Sequence, residues 1–274
     1  MQKIPIYVVD AFAEELFGGN PAAVCPLQYW LPDATLQAIA AENNLSETAF
    51  FVPDEQNHAD FRLRWFTPTV EVPLCGHATL GSGHVVLEEL GFARPRVNFI
   101  TQSGVLSVER AGELLRMELP AAPPQPLPAP PKALREGLGA PPQAWLATPA
   151  KYFAVYPNAA AVAALTPDMA SLTQLTGMGV VATAPGDGYG VDFVSRYFTP
   201  ACGIPEDPVT GSAHCLLVPY WAQRLGKTRL EALQISARRG RLQTELAGDR
   251  VRLAGRVVPY LRGEIAVPER AGSR

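Results

Sequence analysis

Residues 64–68 read Arg-Trp-Phe-Thr-Pro, and residues 196–200 read Arg-Tyr-Phe-Thr-Pro. The offset of 132 is close to half of the 274-residue chain. Solenoid units are far shorter, roughly 20–50 residues, so the repeat points to duplication of a whole domain. The frame continues without a gap: Val72-Pro73 falls on Ile204-Pro205, and Cys75 falls opposite Asp207. After a two-residue slip, Gly81-Ser82-Gly83-His84 matches Gly211-Ser212-Ala213-His214. Both copies then run through an apolar segment to Leu-Gly, at Leu90-Gly91 and Leu225-Gly226. Between them, residues 119–142 are rich in proline, a stiff, extended composition that suits a crossover. The expected organisation is a first half over 1–118, a Pro-rich crossover over 119–131 and a second half over 132–274. The last strand could return to the first half.

Periodicity fills in the halves. Residues 5–12, 47–52 and 60–66 read as strands. Residues 33–44 read as a helix with Asp33 as N-cap and Asn43-Asn44 at its end. Residues 77–91 predict one buried helix, apolar nearly all round and closing at Gly91. Residues 96–110 predict two strands and a turn. The second half follows the same plan, with a strand at 191–198 and a helix at 211–225 that Pro219 interrupts or kinks. Strands followed by one buried helix per half favour an α+β fold over a doubly wound sheet.

Composition excludes some classes. A net charge of −3 lacks the basic footprint of nucleic-acid binding. No apolar run reaches the length of about 20 residues that spans a bilayer. Cys25, Cys75, Cys202 and Cys215 have no C-x-x-C spacing, and no signal-peptide pattern opens the chain. Reduced thiols in the cytoplasm are therefore expected. Neither a dinucleotide fingerprint nor a P-loop occurs, which weakens nucleotide binding.

In each half a Pro-containing loop leads into a helix start rich in Gly, Ser and Thr. Exposed N–H groups and the positive end of the helix dipole make such a start an anion site. Two of them related by pseudo-symmetry would face each other across a cleft and hold a small carboxylate; the bland alternative is simple capping. Cys75 at a helix start would have a lowered pKa and transfer protons; the commoner fate of a cysteine is an inert buried thiol. Asp207 could polarise substrate or merely cap its turn. His77 could donate to a substrate oxygen or hydrogen-bond within its loop. Glu47 leads into Ala49-Phe50-Phe51, and an apolar wall there would raise its pKa and suit it to acid/base work. A surface glutamate at a strand start is the plainer alternative. His84 and His214 read as structural and His58 as exposed. These four histidines are too scattered for a metal triad, so no metal is expected.

The quoted stretches, with residues 9–24 (VDAFAEELFGGNPAAV), 45–51 (LSETAFF) and the weaker 235–242 (ISARRGRL), resemble the PhzF family of phenazine biosynthesis-like proteins. The resemblance implies a diaminopimelate epimerase-like fold: two similar halves, each a mixed sheet or barrel wrapped round a central helix. It implies a cofactor-independent isomerase, typically homodimeric. It places the catalytic glutamate at Glu47 and the motif histidine at His77, with Asp207 and Ser212 orienting substrate. Backbone around Gly76 and Gly211 would bind it, with Cys75 and Ala78 alongside. The chain departs from the phenazine isomerase in carrying Cys75-Gly76-His77-Ala78 where that enzyme has Gly-His-Pro after a non-cysteine residue. It departs from the two-cysteine epimerases in having Asp207 at the second thiol position. The reading is thus an isomerase of a small carboxylate metabolite. An epimerase using Cys75, or a non-enzymatic binding protein on the same fold, are the alternatives.

Overall fold

The computed structural model describes residues 1–175 and 179–268. The chain separates into two compact units: Met1–Glu118 with the return from Ala254, and Leu119–Leu253. The last strand, Val257–Val267, pairs antiparallel with Gln2–Ala11 in the first unit. The segment from Leu119 onward belongs to the second.

The two units repeat one strand plan. In the first, Asn20–Pro26 runs parallel to Glu47–Pro53, which pairs antiparallel with Phe61–Phe66, which runs parallel to Arg96–Thr101. In the second, the same relations join Lys151–Val155, Gly179–Pro185, Phe193–Thr199 and Arg229–Gln234. Each parallel crossover carries helix, the usual way to bring the chain back to the start of a parallel strand. Asp33–Asn43 fills the first gap in one unit, and Ala159–Ala163 with Met169–Thr173 fill it in the other. The second gap holds the central helices, Gly76–His84 and Gly211–Leu225.

The first central helix is buried over Gly76–Gly83, which its small residues permit. A Cβ added to Gly83 would overlap the Val108 side chain on the Gly104–Ala111 strand. Gly83→Ala is therefore expected to destabilise the protein by ~1–3 kcal/mol, read from urea denaturation; a neutral result would mean that Val108 yields freely. Beyond His84 the chain widens into a π turn over Val85–Glu89, where the single predicted helix was expected to continue. Arg110 gathers this turn by bonding the Leu87 carbonyl and Glu88. An i→i+5 turn leaves no periodicity to read.

The second central helix runs unbroken through Pro219. Proline has no N–H to give the carbonyl four residues back. That carbonyl, of Cys215, accepts instead from Ala122 N–H at 2.9 Å, so the Pro-rich segment satisfies it. That segment also carries a two-residue strand at Gln125–Pro126 and a helix at Lys132–Gly137, structure its composition did not foretell. Asp33 is not an N-cap: Pro32 holds that position, and the Asp33 carboxylate accepts from Arg64 at 2.9 Å. Asn44 closes the same helix in the left-handed region, φ 48°.

Candidate functional site

The helices correct the repeat frame. Both begin after an extended N-cap, Cys75 in one and Thr210 in the other. Gly76 thus answers to Gly211, an offset of 135, and Leu90-Gly91 answers to Leu225-Gly226 at the same offset. Gly91 and Gly226 share a left-handed φ of 68° and 67°. Gly81–His84 ends its helix whereas Gly211–His214 begins one, so that sequence match, and the pairing of His84 with His214, is not a structural equivalence. Cys75 likewise matches Thr210, with Asp207 three residues upstream in a loop that is longer in the second unit.

In the first unit, a turn delivers Asn20 to the start of its strand. The preceding Gly19 has φ 61°, and a Cβ there would overlap the Ala11 carbonyl. Only glycine fits such a turn. Asn20 Nδ2 lies 3.2 Å from His77 Nδ1, and Cys75 Sγ lies 3.5 Å from the same nitrogen. The other ring nitrogen, Nε2, lies 3.1 Å from Glu47 Oε2. Glu47 opens its strand opposite Ala22 and turns its carboxylate to this imidazole. The His77 side chain is 4% exposed and that of Glu47 14%, so the carboxylate is the more accessible of the pair. Gly76 and Ala78 are buried in the first helical turn.

Charge follows from the packing. Burial works against a charged His77, but the Glu47 carboxylate beside it favours the imidazolium and holds its pKa above the usual value. Burial, and then the Glu47 carboxylate, push the Cys75 thiol up to about 11. The lowered pKa expected for a cysteine at a helix start is overturned, because desolvation and a neighbouring carboxylate exceed the pull of the dipole. At pH 8 the thiol form of Cys75 therefore predominates. Alkylation by iodoacetamide, followed by peptide mass spectrometry, should mark exposed Cys202 at least tenfold faster than buried Cys75; equal rates would refute this account of the thiol. One ligand atom from each of Glu47, Cys75 and His77 lies within 4.8 Å of the others. The trio could hold a soft divalent ion once the thiol ionises. Counting histidines alone had missed this grouping.

In the second unit the acidic pair Glu206-Asp207 splits its roles. Glu206 takes a two-bonded fork from Arg196, both bonds 2.8 Å. Asp207 Oδ2 accepts from Thr210 Oγ1 at 2.5 Å. Its backbone is pinned on both sides: its N–H donates to Tyr197 O at 3.0 Å, and its carbonyl accepts from Gln234 Nε2 at 2.7 Å. Gln234 Oε1 also accepts the Thr210 N–H at 2.9 Å, and Ser236 bonds the Pro208 carbonyl at 2.7 Å. Beyond Thr210, the N–H groups of Gly211 and Ser212 find no acceptor among the described residues, and Ser212 is half-buried. This is the open helix start that the sequence led us to expect. His214, one turn in, donates to the Thr210 carbonyl at 2.9 Å, and burial pulls its pKa down to about 4, so it is a neutral structural group. His84 stands 3.6 Å from Glu89, and His58 is exposed. Asn20, Thr210 and Gln234 escaped the sequence reading. Asn20 lies within the quoted 9–24 stretch but meets His77 only in the fold, and Gln234 reaches its partners only through sheet pairing.

The duplicated α+β fold thus carries a buried carboxylate–imidazole pair in one unit and an open helix start in the other. The chain belongs to the phenazine biosynthesis-like protein family, which it matches over residues 9–263. It is 52% identical over 263 residues to an uncharacterized isomerase of Pseudomonas aeruginosa, covering 96% of this chain and 99% of that one. The crystal structure of a PhzF-family phenazine biosynthesis protein from Enterococcus faecalis is similar with a TM-score of 0.91 at 43% identity, covering 97% of this chain and all (100%) of that one. A hydroxyproline epimerase from Agrobacterium vitis shares the fold alone, with a TM-score of 0.59 at 12% identity over 97% of this chain and 93% of that one.

Proposed function

We propose that this isomerase moves a proton on a small carboxylate-bearing metabolite, with Glu47 as the general acid/base. The observation that carries the reading is the 3.1 Å contact between Glu47 and His77 beside a helix start. A carboxylate drawn to a buried imidazole by charge keeps a preferred orientation while one oxygen is left without a hydrogen bond of its own among the described residues, which suits acid/base work. His77 has both ring nitrogens against protein groups, so its part is to position Glu47 and share its proton. Asp207 and Ser212, with the Gly211 N–H, are the second unit's substrate-binding groups; Gly76 and Ala78 line the first unit's helix start. Proton transfer of this kind needs no cofactor. We extend the proposal to a cytoplasmic homodimer on the family resemblance; among the described residues no helix is long and apolar enough to cross a membrane.

A second reading, an epimerase with Cys75 as one base, is favoured by the 3.5 Å approach of its sulfur to His77. The raised pKa of the thiol weighs against it. Proton NMR in deuterium oxide tests both, with dihydro-3-hydroxyanthranilate, diaminopimelate, proline and hydroxyproline as candidate substrates. Loss of a substrate C–H signal that persists in the Cys75→Ser variant is the expected result. Exchange that Cys75→Ser abolishes would favour the epimerase, and the absence of exchange on any compound would count against this substrate class.

A further inference from the structure

The strand registers confirm that the repeat's offset of 132 reaches back to a position where the letters no longer match. Thr48 pairs with Phe66 in the first unit, and Val180 pairs with Phe198 in the second. Glu47, just before Thr48, therefore answers to Gly179, just before Val180. The parallel neighbour of Glu47 is Ala22, and that of Gly179 is Lys151. Where one unit sets a carboxylate beside a small residue, the other sets a lysine beside a glycine.

The glycine has a physical reason. A Cβ at Gly179 would overlap the phenol oxygen of Tyr197, so the phenol occupies the place a side chain would need. The Lys151 ammonium stands 5.7 Å from the centre of that Tyr197 ring. Among the described residues it makes no hydrogen bond and no ion pair. The charged and titratable groups within its electrostatic reach are Asp207, Cys202 and Cys215, and burial lowers its pKa. Cys215 lies one turn into the helix whose first N–H groups, at Gly211 and Ser212, are open. A half-buried ammonium without a hydrogen-bonded anion is costly, and a ring face offsets only part of that cost. A bound carboxylate would supply the missing partner.

We propose that Lys151 is a substrate-binding residue that recognises a carboxylate group of the ligand, standing on the strand directly beside Gly179, the second unit's counterpart of Glu47. The inference rests on the reading that the substrate bears a carboxylate, yet it fails or stands independently of proton transfer.

The test is NMR of the full chain carrying 13C/15N-labelled lysine. Lys151→Arg assigns the Lys151 signal, and exposed Lys3, Lys132 and Lys227 serve as internal controls. Benzoate, malonate and L-proline are titrated to tens of millimolar beside benzamide, malonamide and L-prolinamide. The Lys151 Cε and Nζ resonances should move with at least one carboxylate and with none of the amides, while the control lysines stay still. Lys151→Met, checked for folding by thermal melting, should weaken binding of that carboxylate at least tenfold. A Lys151 signal that no carboxylate moves, or that moves equally with the matching amide, overturns the proposal. Carboxylate binding without proton exchange would leave Lys151 in place and defeat the isomerase mechanism; exchange with an unmoved Lys151 would do the reverse.

Discussion

Glu47→Gln is expected to lower substrate proton exchange by ~10²–10⁴-fold, the range a positioned acid/base supplies. Glutamine keeps the volume and can still approach His77, so the melting temperature should move little. What changes is the proton partner. Glu47 helps hold the His77 pKa up, and its loss lets burial pull that pKa down. The exchange assay and a His77 imidazole titration by NMR therefore read two faces of one contact. Wild-type exchange in the variant would remove Glu47 from the chemistry. Lost exchange with an unshifted His77 would keep Glu47 as the base but deny the pairing drawn from the 3.1 Å distance.

The second large effect is structural. Arg196→Ala should cost about 2–4 kcal/mol in urea denaturation, because it strands a largely buried carboxylate. The Arg196 side chain is 14% exposed and Glu206 21%. Arg196 also bonds the Leu165 carbonyl at 2.8 Å and lies over the Phe198 ring at 4.8 Å, so its loss unties a helix end as well as the fork. Lysine would not rescue it, since a point charge cannot make the two parallel bonds. Arg64 is the counterpart, forked to Glu71 with both bonds at 2.7 Å and stacked 5.1 Å from Phe66. It is more exposed, at 21%, so Arg64→Ala should cost less. A cost under 1 kcal/mol for Arg196→Ala would show that the fork is only a surface pair.

The Arg-Phe-Thr-Pro repeat was legible because its residues do the same work twice: an arginine forks a glutamate and covers a phenylalanine in each unit. The glutamates themselves, Glu71 and Glu206, lie at different distances along the chain, so no fixed frame could pair them. The slip at Gly211 misled for the same reason. Identical Gly-Ser-x-His letters fall at opposite ends of the two helices, and only the N-caps and the left-handed glycines show which residues correspond. Glu47 and His77 could be singled out, but not that they touch, because the contact joins a strand start to a helix start 30 residues later. The Cys75 pKa went the wrong way because a helix start is visible in sequence, whereas burial and the approach of Glu47 are not.

By itself the sequence determined the duplication, the strand and helix kinds within each half, and the motifs that define the family. These rest on periodicity, turn chemistry and residue identity, which are local properties of the chain. The tertiary structure alone decided which residues correspond between the units, that Glu206 is taken by the Arg196 fork, and that burial raises the Cys75 pKa. It also set Lys151 beside Gly179, the counterpart of Glu47. Each of these depends on register and desolvation, which arise only when distant strands pair and water leaves the space between them.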